Sequence, residues 1–329
     1  MKAAIIQRFG SPEVLEVVPN YPSPVPLTNQ VLLRVEAAGI NPLDCKTRAG
    51  QLCVLEGARF PIILGNDASG TVVEVGSAVT KFKIGDEVFG FLDAHSQPSR
   101  TGFTKGGAYA EFAVTRVDTL ALKPKLMSHT EAASVPLAAL TAYQVFRKIG
   151  MKSGEKVLIN GASGGVGSFA VQFAKQLDCS VTAVCSERNQ VIVASLGADQ
   201  IVNYKEQPIT NLQETYDVIY DVAATTSFAQ CQHLLSQTGI FISNANLTNP
   251  LNMLTAWLFR ALRFVGIQQR TDFAWVKPSG NDLETIAQMI DSGLLRTVID
   301  RVYMLEEVRL AHEYSESGRV QGKIVMNIV

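Results

Sequence analysis

Residues 156–177 read KVLINGASGGVGSFAVQFAKQL. The apolar run Lys156–Ile159 predicts a strand, and Phe169–Leu177 carries a helical apolar pattern. Between them lies NGASGGVG, Asn160–Gly167. A strand that turns sharply into a helix through glycines lets the backbone approach a pyrophosphate without a Cβ in the way. It also aims the first N–H groups of the helix at the anion. Gly161, Gly164, Gly165 and Gly167 meet those needs in order, although their spacing is GxxGGxG rather than GxGxxG. Ser163, Gly164, Gly165, Val166 and Gly167 are therefore the candidate pyrophosphate-binding residues.

The next strand, Ser180–Val184 (SVTAV), is followed by Cys185, Ser186, Glu187, Arg188 and Asn189. A fold that binds NAD places an acid about 20 residues past the glycines, where it accepts from the ribose hydroxyls. Cys185 stands at the strand end here, so no carboxylate there repels a 2′-phosphate. Arg188 can clamp such a phosphate in a fork, and Ser186 and Asn189 can donate to it. NADPH is thus the expected cofactor. Glu187 is expected to face solvent at the start of the following helix, where its charge suits the dipole. The alternative for Arg188 is an ordinary solvated residue at a helix start.

Around this turn the texture of the chain changes twice. Residues 1–124 show short alternating segments broken by Gly and Pro turns: KAAIIQ, VLLRVEAAGI, SGTVVEVG, KIGDEVFGF and GAYAEFAV. That pattern predicts an all-β barrel or sandwich. Residues 125–267 open with a helical pattern over Thr130–Ile149. Strand-like runs then alternate with helix-length segments: KVLI, SVTAV, QIVNY, DVIYDV, GIFIS and RFVGI. This predicts an α/β, doubly wound parallel sheet. Residues 268–329 predict a helix (Asn281–Gly293), a strand (Thr297–Tyr303), a helix (Leu305–Ser317) and a strand (Lys323–Ile328). Six strands already complete the sheet, so this tail is expected to return to the first domain.

Composition narrows the function. The chain has 329 residues, 47% of them hydrophobic, and a formal net charge of −1. It can bury a large core, and it has no basic stripe for a nucleic-acid partner. Cys45, Cys53, Cys179, Cys185 and Cys231 form no CxxC pair, and no secretory signal pattern starts at Met1. Reduced thiols in a cytoplasm are the expectation. LNMLTAWLFRALRFVGI, residues 251–267, is too short and too charged to span a bilayer. It reads as a lid or packing helix, with an interfacial helix as the alternative.

Several of these stretches resemble the zinc-independent quinone oxidoreductase branch of the medium-chain dehydrogenase/reductase superfamily. They are AAGINPLDCKTRAG, GNDASGTVVEVGSAV, GGAYAEF, SVPLAALTAYQ, NGASGGVG and SGRVQGKIV. Within that branch the chain is most similar to NADPH-dependent alkenal/one oxidoreductases and chloroplast-envelope quinone oxidoreductase homologues. The resemblance implies a GroES-like β-barrel catalytic domain beside a Rossmann domain, and a homodimer in which RFVGI extends the sheet across a twofold axis. Zinc-dependent alcohol dehydrogenases carry a Cys after the AAGI-like segment and a His-Glu pair in a GHE stretch, where this chain has Asn41 and Asn66-Asp67. The four-cysteine lobe of those enzymes, expected between about Phe89 and Gly106, is missing. His95, the one histidine near it, reads as a surface-loop residue. An amide does not replace a thiolate zinc ligand, so no metal is expected.

Without a Lewis acid, the implied reaction is reduction of an electron-poor double bond, which needs hydride delivery and an enolate stabiliser. The substrate class is a small hydrophobic quinone or α,β-unsaturated carbonyl, with no nucleic-acid or membrane-spanning partner. By the resemblance, Lys46 contacts the cofactor in the cleft and Thr141 lies beside the nicotinamide. Tyr204 meets the adenosine end, and Lys323 meets the pyrophosphate. Asn41 is expected to bond the substrate carbonyl or the cofactor, and Asp44 to orient Lys46. The alternative is a turn at Asn41-Pro42 with Asp44 capping the next helix. Leu52, Trp257, Phe273 and Trp275 are candidate apolar walls. The rival readings are an NADPH-linked alcohol or enoyl-thioester reductase and a non-catalytic, crystallin-like NADPH sensor.

Overall fold

The computed structural model describes residues 1–51, 60–92, 107–244 and 268–329. Its sixteen described strands, in chain order, begin with β1 (Ala3–Ile6), β2 (Leu15–Val18), β3 (Gln30–Ile40) and β4 (Ile62–Ile63). β5 (Asp67–Val75), β6 (Glu87–Phe91), β7 (Phe112–Arg116) and β8 (Leu120–Leu122) follow. Then come β9 (Lys156–Asn160), β10 (Ser180–Cys185), β11 (Gln200–Asn203), β12 (Tyr216–Asp221), β13 (Leu235–Ser243) and β14 (Arg270–Phe273). β15 (Ile299–Met304) and β16 (Lys323–Asn327) end the chain. The described helices are α1 (Pro42–Arg48), α2 (His129–Ala133), α3 (Pro136–Ile149), α4 (Gly165–Gln176), α5 (Gln190–Ser195), α6 (Phe228–Cys231), α7 (Gly280–Asp291) and α8 (Val308–Glu316).

Two compact units share these elements: Met1–Leu140 with Lys277–Val329, and Thr141–Val276. The tail therefore belongs with the β-rich front of the chain. The first boundary falls later than the change of texture at Pro124, because α2 packs on β3 and β5 and stays with the first unit. The continuous helix expected over Thr130–Ile149 is two helices. Ser128 and Glu131 form a reciprocal cap on α2, and Pro136, which has no N–H and disfavours helical backbone before it, breaks the run. The apolar periodicity continues through the break, which is why it reads as one helix.

In the first unit β3 is the central strand, pairing antiparallel with β5, β7 and β16. The larger sheet runs β15-β16-β3-β5-β6-β8 with β7 on β3, and β2-β1-β4 forms a smaller one. Alternate residues of these strands, among them Ile6, Leu33, Val35, Val72, Val88 and Ile324, make one core. Helix α8 of the tail docks on α1 through polar groups. Arg48, 2% exposed, donates to Gly10 O (3.1 Å) and to Glu316 Oε1 (2.6 Å) and approaches His312 Nδ1 (3.3 Å). Burial, then the neighbouring Arg48, hold His312 down at about 3, so the ring is neutral at physiological pH. Nδ1 therefore accepts from Arg48, and the ring proton sits on Nε2.

The second unit is a single parallel sheet in the order β11-β10-β9-β12-β13-β14. This is the doubly wound arrangement, with the reversal of strand order between β9 and β12. Leu158, Val184, Ile219 and Phe241 help form the core on one face. The expected sixth strand, RFVGI, lies outside the described residues; β14, just beyond it, takes the sixth place. Among the described residues no helix is long and apolar enough to cross a membrane. Replacing Arg48 by Ala should cost about 2–3 kcal/mol, discounted for the exposure of Glu316. Chemical denaturation measures the loss, and a change below about 0.5 kcal/mol would mean that Arg48 does not hold α8.

Candidate active site

The phosphate turn is built as its glycines require. β9 ends at Asn160, and Gly161 takes φ +84°, a left-handed conformation open to glycine. Gly161 N and Ala162 N both donate to Val184 O of β10 (3.1 Å each), and Gly164 N donates back to Gly161 O. Gly164 is the N-cap of α4. A Cβ on Gly167 would lie 2.1 Å from Gly161 O, so only glycine lets α4 sit this close to the turn. The amides of Gly165, Val166 and Gly167 begin the helix, where backbone N–H groups have no intrahelical acceptor. They form a cradle for an anion.

The segment after β10 is tied to that turn. Ser186 precedes a short 3₁₀ turn over Glu187–Asn189, and both Ser186 and Asn189 are buried. Asn189 Nδ2 donates to Ser163 Oγ at 2.8 Å, so the two candidate stretches meet. Glu187 and Arg188 are exposed, Tyr204 is 51% exposed just past β11, and Thr141 is buried in α3. No acidic side chain stands at the end of β10, where Cys185 is buried and burial pushes its thiol up.

Within the first unit, Asn41, Asp44 and Lys323 come together with Asp67, all of them buried. Lys323 Nζ donates to Asn41 Oδ1 and to Asp67 Oδ2, the latter at 3.1 Å. Asn41 Nδ2 donates to Asp67 Oδ2 (3.0 Å), and Leu137 N to Asp67 Oδ1 (2.8 Å). Burial raises the Asp67 carboxyl, opposed by Lys323 and by these hydrogen bonds. The ammonium expected at a pyrophosphate is thus already engaged inside the unit, and the Asn41 amide expected at a substrate carbonyl is clamped on both sides.

Asp44 does not orient Lys46. Its Oδ2 accepts from Asn41 N (2.8 Å) as the helix cap, and the Tyr109 hydroxyl lies beside the carboxyl. Residues two apart on a helix point to different faces, which explains the outcome. Lys46 itself is half-buried on α1. Phe273 is half-buried and Trp275 partly exposed, whereas Leu52 and Trp257 lie outside the described residues. Asp67 and Tyr109 were missed in the sequence. Tyr109 is fully buried, and only the fold brings its hydroxyl beside the Asp44 carboxyl.

Comparisons with known proteins agree with this arrangement. Residues 28–125 match the model of the alcohol dehydrogenase GroES-like domain, and residues 196–326 that of a zinc-binding dehydrogenase. The chain is 32% identical to human mitochondrial NAD(P)H oxidoreductase RTN4IP1, across 100% of this chain and 89% of the relative. It is 31% identical to the chloroplastic NADPH-dependent alkenal/one oxidoreductase of Arabidopsis thaliana, over 99% of this chain and 79% of that one. The solved quinone oxidoreductase of Coxiella burnetii superposes with a TM-score of 0.86 at 32% identity, covering 100% of this chain and 99% of that chain. The chain belongs to the medium-chain dehydrogenase/reductase superfamily. It falls among the NAD(P)H-dependent oxidoreductases of the quinone oxidoreductase type.

The buried acid gives a pH test. Burial pushes the Asp44 carboxyl from 3.8 to about 7; the Asn41 N–H bond opposes this and neighbouring Asp67 adds to it. A folded state that keeps a proton the unfolded chain has lost becomes less stable as pH rises from 3.8 to about 7. Asp44→Asn, which does not titrate, should therefore gain on the wild type across that window, by on the order of a few kcal/mol at its upper end. Thermal melts of both proteins from acid to neutral pH read this, and parallel curves would contradict it.

Proposed function

We propose that this protein is an NADPH-dependent, zinc-independent reductase of quinones or of the C=C bond of α,β-unsaturated carbonyls. The observation that carries the reading is the link from Asn189 to Ser163, which sets the Ser186–Asn189 segment beside the phosphate turn. There Arg188 and Ser186 can meet a 2′-phosphate, and no carboxylate at the end of β10 opposes it. The amides of Gly164–Gly167 bind the pyrophosphate, with Thr141 and Tyr204 assigned to the nicotinamide and adenosine ends. A similar chain, the alkenal/one oxidoreductase of Arabidopsis thaliana, bears NADPH dependence in its name.

The donor set does not fit zinc. By the resemblance, Asn41 and Asn66-Asp67 stand where the zinc-dependent branch carries its Cys and its His-Glu pair, and Asn41 and Asp67 both accept from the Lys323 ammonium. A dication there would sit against a fixed positive charge, with an amide in place of a thiolate. The reaction is therefore assigned to hydride chemistry on an electrophile that needs no Lewis acid. Bound NADPH supplies the hydride. Lys46, a half-buried cation on α1, is assigned to the oxygen that gains charge as the double bond is reduced. Asn41, held by Lys323 and Asp67, gives α1 a fixed start and so fixes where Lys46 stands. Phe273 and Trp275 are assigned to the apolar wall, and the protein to a homodimer.

Loss of NADPH absorbance should follow addition of a short enal, an enone or a naphthoquinone, and should not follow a saturated aldehyde. Turnover of the aldehyde alone would favour the alcohol-dehydrogenase reading. Tight NADPH binding with no turnover of any of them would favour a sensor. Arg188→Ala should raise the NADPH Michaelis constant about tenfold, the loss of a charge-assisted hydrogen bond, with that for NADH nearly unchanged. An equal loss for both cofactors would remove Arg188 from the 2′-phosphate.

A further inference from the structure

Asp221 has no part in the site as described so far, yet it is fully buried at the carboxyl end of β12. It stands in register with Asn160 at the end of β9 and with Ser243 at the end of β13. Strand order reverses between β9 and β12, which is where ligands of doubly wound sheets bind. Four donors converge on its carboxyl group. Oδ1 accepts from Asn160 Nδ2 (2.8 Å) and, at the long limit, from Thr225 N (3.4 Å). Oδ2 accepts from Thr226 N and Thr226 Oγ1, both at 2.8 Å.

These bonds fasten the loop after β12 to the first residue of the phosphate turn. Asn160 Nδ2 also donates to Thr225 Oγ1 (2.9 Å). Asn160 O accepts from Val222 N (3.0 Å) and Ala223 N (3.2 Å). Ala223 then packs against Gly161, where an added Cβ would come within 3.1 Å of it. Ala224 has φ +54°, a left-handed conformation that costs an alanine roughly 1–2 kcal/mol. A strained loop persists only when its surroundings hold it. The groups that hold it here are the Asp221 oxygens together with the Asn160 amide and carbonyl. The turn is thereby clamped on two sides, by Val184 O of β10 and by the loop after β12.

We propose that Asp221 is a positioning residue of the dinucleotide site. It acts through Asn160 and the Val222–Thr226 loop to fix the phosphate turn before the cofactor arrives. The inference rests on the dinucleotide reading above and adds a distinct expectation. Arg188 separates NADPH from NADH, whereas Asp221 serves the pyrophosphate that the two share, so its loss affects both equally.

The donor pattern supplies a swap test. Asp221→Asn turns an amide N–H₂ toward either Asn160 Nδ2 or the Thr226 donors, all of which need acceptors. Asn160→Asp sets a second carboxylate against the first. The double variant Asn160→Asp/Asp221→Asn reverses the bond between the two side chains and leaves only the long Thr225 N contact without its acceptor. The amide introduced on β12 then donates to the carboxylate introduced on β9, and its oxygen accepts from Thr226. Titration of protein fluorescence should show each single variant binding NADPH and NADH about tenfold more weakly, in equal measure, with the double variant recovering most of the loss. Thr226→Val, a milder change, should weaken both by a few fold and keep the fold if a single variant does not. Wild-type affinity in the single variants, or in Thr226→Val where those do not fold, would overturn the proposal, as would a double variant no better than the weaker single. A wild-type protein that binds neither dinucleotide would overturn the dinucleotide reading itself, and the proposal with it.

Discussion

The approach of α4 to the end of β9 sets the geometry on which the second unit depends. Gly167 lies so near the Gly161 carbonyl that a single added carbon would overlap it. Only this contact allows the helix to start directly over the strand and to turn its first amides toward the carboxyl edge of the sheet. The rest of the unit supports that contact. Val184 accepts both amides of the turn from one side, α4 buries eight consecutive residues from Gly167 to Ala174, and Asn189 reaches Ser163 from the end of β10. An anion site made of backbone dipoles needs no charged side chain at its centre, because its partial charges are fixed by the fold.

The first unit handles charge in the opposite way. Asp67, Asn41 and Lys323 come from β5, the start of α1 and β16, and together bury a cation and an anion with their hydrogen bonds. A buried ion pair adds little net stability, but removing one partner leaves a costly orphan charge. Such a pair therefore fixes register: the last strand cannot slip along β3 without separating Lys323 from Asp67.

The parts of this fold that follow from local pattern are legible in the sequence. The strand, the glycine turn and α4 lie within residues 156–177, and the alternating strands of the front domain carry their own period. The same holds for the absent acid at the end of β10, a matter of one position. What is not legible depends on contacts between distant residues. Lys323 and Asp67 are separated by 256 positions, and no local pattern shows that the ammonium turns inward. Asp44 illustrates a nearer case, in which the sequence allows both a partner for Lys46 and a helix cap. Its place two residues before Lys46 suggested a pair, but helix geometry turns it to the cap. Pro136 broke a helix whose apolar spacing ran on undisturbed. Asp221 ends β12 one residue before the end of the run DVIYDV, and its burial there comes from β9 and β13 on either side, which no local pattern shows.

The central claim is that the turn at Asn160–Gly167 and the segment Ser186–Asn189 together hold a phosphorylated nicotinamide dinucleotide. Calorimetric titration of the purified protein with NADPH and with NADH, under identical salt, tests it most directly. The account predicts saturable binding of one NADPH per chain, about tenfold or more tighter than NADH. Absence of binding, or a preference for NADH, would contradict it.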